Sequence, residues 1–179
     1  MADRITDDIK AQLRMDADDT AEDSLLGGYI MVASDEGQQL LNRAIGEQTL
    51  VLYLDKFSKS IMLPMPPLVD LVSVKYIDVN GDEQTLDTSK YYLDDKQEPA
   101  WLLPAVGEVW PQTQVGGANC VAIEYTAGYT PESCPEPIKL WIKMRVGTMH
   151  VNREAHADRP VVEHGFAERL VDRYKVIVV

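Results

Sequence analysis

Apolar residues recur along this chain at two different spacings, and the changes of spacing divide it. Leu26, Ile30, Ala33, Gly37, Leu41 and Ala44 follow one another at steps of three and four. Such steps lay them on one seam of a helix. The helix is predicted to start with Asp19 and Glu22, or Thr20 and Asp23, as its capping pair and to run to about Ile45. Ahead of it, Thr6 is placed to cap a shorter helix over Asp7–Arg14, with Ile5, Ile9 and Leu13 on its apolar face. From Thr49 the period becomes two. TLVLYL and SKSIML read as paired strands, ended by Pro64, Pro66 and Pro67, which cannot donate to a ladder. VSVKYIDV alternates over residues 72–79, and Asn80-Gly81 predicts a two-residue hairpin turn that returns through EQTL. Lys90–Asp94 and Ala100–Leu103 are further short strands, QTQVGGA is a flexible loop, and Val121, Ile123 and Tyr125 alternate in a last strand.

After the Gly128–Pro131 break the helical period returns. Pro137 suits the first turn of a helix, where a missing N–H costs nothing. Ile138, Ile142, Arg145 and Met149 then share one face, and Leu140, Met144, Thr148 and Val151 share another. A helix apolar on two faces packs on two sides, so this one is either deeply buried or shared between subunits. Phe166, Leu170 and Tyr174 fall four apart, as in a short helix or turn, before the terminal run KVIVV. That run is either an internal core strand or a strand held out for another chain.

The pattern predicts an α+β fold: a helical body of three main helices with an inserted small antiparallel β-sandwich or partial barrel. Residues 1–48 supply the N-terminal helices, 49–127 the β insertion, 128–155 the third helix and 156–179 a C-terminal tail for docking a partner. Gly37 costs up to about 1 kcal/mol in a helix relative to Ala. Its expected use is close approach of another helix, from the same or a neighbouring subunit.

Composition narrows the function. The net charge is −12 over 179 residues, and acidic residues outnumber basic ones everywhere before residue 136, so no basic nucleic-acid footprint exists. No apolar run approaches the roughly 20 residues that span a bilayer, and no signal pattern opens the chain, so a soluble protein made in a cytoplasm is expected. The two cysteines, Cys120 and Cys134, form no CxxC pair and read as small core or turn residues, without a disulfide. Asp16, Asp18 and Thr20 mimic the opening of a calcium loop, but Ala21 and Gly27 stand where it needs Gly and an acid. His150, His156 and His164 lack zinc-ligand spacing, and no nucleophile elbow, P-loop or dinucleotide fingerprint appears. Ser133 has no base near it in sequence. No catalytic residue, metal or cofactor is therefore expected. Lys143, Arg145 and Arg153 form either a basic patch or the exposed edge of the third helix, paired with acids of a neighbour.

The order of these pieces resembles the head–tail connector (head-completion adaptor) family of long-tailed bacteriophages and related prophages. The pieces are ITDDIKAQLRMD, the acidic break and second helix, IMLPMPPLVDLVSVKYIDVNGDEQTLD, YYLDD, VAIEYTAGY, PEPIKLWIKMRVGTMHVNRE and RLVDRYKV. Gly27-Gly28 and the extension KVIVV depart from that pattern. The resemblance implies a structural virion protein of the neck, assembled in the host cytoplasm without a cofactor. It implies a homo-oligomeric ring, commonly of twelve subunits, beneath the portal protein. Such a ring extends the DNA channel without sequence-specific binding and offers a platform to a stopper or tail-completion protein. On this reading Gly37, Leu41, Ile138, Trp141, Ile142 and Met149 pack subunits. Leu170, Tyr174, Lys175, Val176, Ile177, Val178 and Val179 bind the portal or a neighbouring subunit, and Asp16, Asp18, Asp19, Glu22 and Asp23 face the channel. The alternatives are a stopper or tail-terminator ring of the same neck and, outside it, a soluble enzyme or a carbohydrate-binding β module.

Overall fold

The computed structural model describes residues 2–16, 18, 20–152 and 165–177, without the side chains of residues 2–7, 165, 166 and 168. The chain divides into two compact units, Met1–Gly46 with Thr130–Val179, and Glu47–Tyr129. The fold class is α+β, as the hydrophobic pattern predicts.

The first unit is helical: α1 (Ala2–Leu13), α2 (Asp23–Leu41), α3 (Glu136–Val151) and the short α4 (Gly165–Val171). α1 begins earlier than predicted, so Thr6 lies inside it and does not cap it. α2 has no side-chain cap at Glu22, and it ends at Leu41 where Asn42 turns left-handed and sends its N–H to the Gln38 carbonyl. The prediction overruns this end because burial continues past it: Ala44 and Ile45 are fully buried although the chain has left the helix. α3 opens with Pro137 in its first turn, as expected. A reciprocal turn precedes it, with the Thr130 N–H donating to Ser133 Oγ (2.9 Å) and the Ser133 N–H to Thr130 Oγ1 (3.2 Å). Its buried stripe is Ile138, Trp141, Ile142 and Val146, which corrects the predicted placement of Arg145 on that face.

The second unit holds two antiparallel sheets. β1 (Gln48–Leu54), β7 (Val121–Ala127), β3 (Leu68–Ile77) and β4 (Glu83–Thr85) make one, in that order. β2 (Ile61–Met62), β6 (Trp101–Pro104) and β5 (Tyr91–Asp94) make the other. β7 alternates buried and half-buried residues along its length, which is the period-two signal of Val121, Ile123 and Tyr125. The Tyr125 hydroxyl donates to the Pro64 carbonyl at 2.9 Å, and burial pushes this phenol up to about 12. TLVLYL and SKSIML do not pair. The first lies beside β7 and the second beside β6, because the longer β7 offers β1 a seven-residue match that two-residue β2 cannot. The Asn80-Gly81 turn is also not a two-residue one. Asp78 and Asp82 close it through the Asp78 N–H to the Asp82 carbonyl (2.9 Å), which leaves three residues in the loop. Only Gly81 (φ 92°) adopts positive φ.

Candidate assembly surface

The helical unit turns one face of each long helix inward. Leu41, Ile138, Trp141 and Ile142 are almost fully buried, and a Cβ at Gly37 would stand 2.6 Å from Ile45 Cδ1 and 3.1 Å from Trp141 Cζ3. Gly37 therefore admits the α3 indole and the Ile45 side chain of its own chain. For Gly37 the same-chain alternative holds, and Leu41, Ile138, Trp141 and Ile142, expected to pack subunits, are covered by the chain's own helices. Met149 is half-buried.

The outward faces are a different set. On α2, Leu25, Gly28, Tyr29 and Val32 recur at three- and four-residue steps and, with Ala21 and Ser24, line a shallow groove. Leu25 is 39% exposed, Val32 49% and the adjacent Met31 71%. No Cβ at Gly27 or Gly28 would meet an atom within 4 Å. On α3, Leu140 (44%), Met144 and Val151 (76%) form a second outward stripe on the side away from Ile138 and Ile142. The α3 stripe is legible in the sequence. The α2 stripe is hidden there, because it has the same spacing as the inner seam and runs one position earlier.

The described part of the C-terminal run, residues 175–177, is neither a core strand nor held away from its own chain. A 3₁₀ turn (Asp172–Tyr174) follows α4, and Val176 is buried at 9% exposure against the end of α2. Its N–H donates to the Leu41 carbonyl at 2.9 Å, and Asn42 Nδ2 donates to the Val176 carbonyl at 3.0 Å. Buried Arg43 sends Nε to the Tyr174 carbonyl at 3.0 Å. The physical reason is that a helix end leaves carbonyls without partners, and the returning chain supplies one donor for them. Leu170 and Tyr174 are half-buried, Lys175 is exposed, and Ile177 stands 80% exposed. Val178 and Val179 lie outside the described residues.

The acidic run splits likewise. Asp16 and Asp18 are exposed, and the Asp18 N–H donates to Asp16 Oδ1 at 3.2 Å. Glu22 instead meets His150 Nε2 at 3.0 Å, and Asp23 meets buried Lys10 at 2.6 Å. Asp19 lies outside the described residues. Lys143 pairs with Asp8 (2.6 Å) and Arg145 with Glu36 (2.5 Å), so acids of the chain's own α1 and α2 take these cations. Arg153, His156 and His164 lie outside the described residues. Among the described residues no cluster of potential ligands could hold a metal, and no helix is long and apolar enough to cross a membrane. Cys120 and Cys134 are both free and buried, and burial pushes the Cys134 thiol up to about 11.

The class of protein is thus defined by a helical unit with two outward apolar stripes and an all-β unit inserted between its second and third helices. No family model matches the chain, and no curated protein is similar to it in sequence. Solved structures do share its fold. A chain in the neck of an empty gene transfer agent (GTA) particle, computed with C6 symmetry, superposes with a TM-score of 0.79 at 20% identity, over 97% of this chain and 90% of that one. A chain in the virion of a native GTA particle gives 0.74 at 20% identity, over 99% and 90%. A chain in the neck of a native GTA particle, computed with C12 symmetry, gives 0.72 at 18% identity, over 100% and 94%. All three chains share this fold over 97% to 100% of its length.

Proposed function

We propose that this chain is a structural subunit of the neck of a phage-like particle, specifically a head–tail adaptor that forms a ring below the portal. The observation that carries the reading is the match of both units to chains from GTA necks and virion. The shared fold takes in the helical unit and the β unit together, so the reading rests on neither alone. The role is structural rather than catalytic, because the chains of this fold come from particle necks. A ring of twelve copies agrees with the twelvefold symmetry of one of those necks. DNA passes through the ring without being read, which suits a chain of net charge −12, since phosphate binding is driven by Lys and Arg. Among the described residues, exposed Asp16 and Asp18 are acids placed to line the channel, and exposed Ile177 is an apolar residue available to the portal.

Deleting the gene from a particle-producing strain tests this reading. Particles should then carry filled heads without attached tails, and the purified protein should co-sediment with portal-bearing heads and restore tail joining. Normal particles from the deletion strain would overturn the neck role. Binding to tails but not to portal-bearing heads would replace the adaptor with a tail-terminator.

A further inference from the structure

We propose that Asn80-Gly81 is a latent deamidation site, and that the hydrogen bonds converging on Asp78 keep the Asn80 side chain an amide while the β3–β4 hairpin is closed. The chemistry starts from the sequence. The chain has four asparagines, followed by Arg, Gly, Cys and Arg, so Asn80 alone precedes a glycine. Glycine has no side chain to obstruct its own nitrogen, and a Cβ at Gly81 would meet no atom within 4 Å. Both residues are exposed. In an open chain the Gly81 nitrogen attacks Asn80 Cγ. The N–Cγ bond forms, the Cγ–Nδ2 bond breaks, and Nδ2 leaves as ammonia with the proton lost from the Gly81 N–H. Water then opens the cyclic imide at either carbonyl, giving aspartate or isoaspartate.

The folded turn withholds the nucleophile. The Gly81 N–H donates to the Asp78 carbonyl at 3.0 Å, so both its proton and the orientation of its amide are held. The Asp78 carboxylate fixes the peptides on either side. Its Oδ1 accepts from the Asn80 N–H at 2.8 Å and from the Asp82 N–H at 3.1 Å, and its Oδ2 accepts from Gln84 Nε2 at 3.1 Å. Cyclisation must first break the Gly81 bond and rotate a backbone that the other bonds hold. Escape from the clamp would also be self-propagating. Isoaspartate lengthens the loop backbone, and either product adds a carboxylate near Asp78 and Asp82. β4 is held to β3 by three residue pairs (Lys75 with Thr85, Tyr76 with Gln84, Ile77 with Glu83), so a disturbed tip leaves little to keep it closed.

Incubation of the full chain at mildly alkaline pH, with peptide mass mapping of residue 80 over time, tests the clamp. Asn80 should persist in the folded wild type, and the guanidinium-unfolded chain should lose it at least ~10-fold faster, the effect of roughly one hydrogen bond. Asp78→Ala keeps the backbone carbonyl but removes the carboxylate. Once circular dichroism shows it folded, it should deamidate at least ~3-fold faster than wild type, since only part of the clamp is lost. A further readout needs no variant: hydrogen exchange followed by NMR should show the Gly81 amide protected relative to the unfolded chain. Loss of Asn80 from the folded wild type at the unfolded rate, a folded Asp78→Ala chain that deamidates at the wild-type rate, or an unprotected Gly81 amide would each overturn the proposal. If Asp78→Ala does not fold, the wild-type comparison and the exchange measurement decide it.

Discussion

Gly37 is where one atom decides between tolerance and strain. A methyl group there would meet the flexible end of Ile45 and the edge of the Trp141 ring. The Ile45 Cδ1 end must move away from 2.6 Å and the Trp141 edge must give by a few tenths of an ångström, a cost set against about 1 kcal/mol of helix propensity that Ala regains. Gly37→Ala is therefore expected to change stability little, whereas Gly37→Leu should cost roughly 1–3 kcal/mol by overpacking. Thermal melting of both variants checks this. If Gly37→Leu melts with the wild type, the α2–α3 contact is looser than described. The hairpin tip gives a pH signature. The backbone N–H groups of Asp82 and Asn80, with smaller help from Gln84, hold the Asp78 carboxyl below its ordinary value of 3.8. A lowered value means that the charged form is favoured by the fold. The contribution is present above 3.8 and is lost as pH falls through the lowered value. Acid titration by NMR should show the Asn80 and Asp82 amides shifting together below that point, and Asp78→Asn should abolish the step. At this scale the sequence displays residue types but not their partners. Gly37 is legible because it interrupts an apolar seam. Arg43 and Lys10 are not, since nothing in spacing says that a cation will be buried beside a carbonyl or a carboxylate from a remote segment.

Among the elements, the C-terminal segment carries the sharpest test, because its described residues 175–177 form no strand where KVIVV predicts one. Truncation after Tyr174 removes the Val176 side chain and its two hydrogen bonds to the end of α2. It should lower stability by roughly 1–3 kcal/mol. Ile177→Ser, at a side chain 80% exposed, should leave melting unchanged. Comparing the two variants by denaturant unfolding separates a clasp through Val176 from a general effect of changing this segment. β propensity alone misreads this run: it contains enough β-branched residues for a strand, yet a single valine and its neighbouring backbone answer the needs of a helix end. The hairpin is more nearly legible. Its location and its glycine are both visible, but the loop length is set by the Asp78–Asp82 closure, which the dipeptide does not encode. Gly81→Val forces a β-branched residue to φ 92° and should destabilise the β unit by about 1–3 kcal/mol. The α2 end and the β1–β2 pairing are missed for a common reason. Burial continues past Asn42, and alternation continues into Ile61, so periodicity reports which residues are covered rather than what covers them.

For the whole molecule, the switch between helical and two-residue periods is enough to predict an α+β chain with an all-β insert, and the compact unit found is Glu47–Tyr129. The assembly surface is only half legible. The α3 outer stripe stands in the sequence, while Leu41, Ile138, Trp141 and Ile142, assigned to subunit packing, lie in the chain's own core. Spacing alone does not distinguish the two, because an apolar stripe looks the same whether a sister helix or a sister subunit covers it. What points to a neck subunit is the match of the entire fold, at 18% to 20% identity, to chains in GTA necks and virion. The measurement that bears most directly on this is a cryo-electron microscopy reconstruction, with imposed and then relaxed symmetry, of the neck of particles from a strain that encodes the chain. The predicted result is a ring of copies of this chain encircling the DNA path beneath the portal. Density at that level belonging wholly to other proteins, with this chain absent from the purified particles, would contradict it.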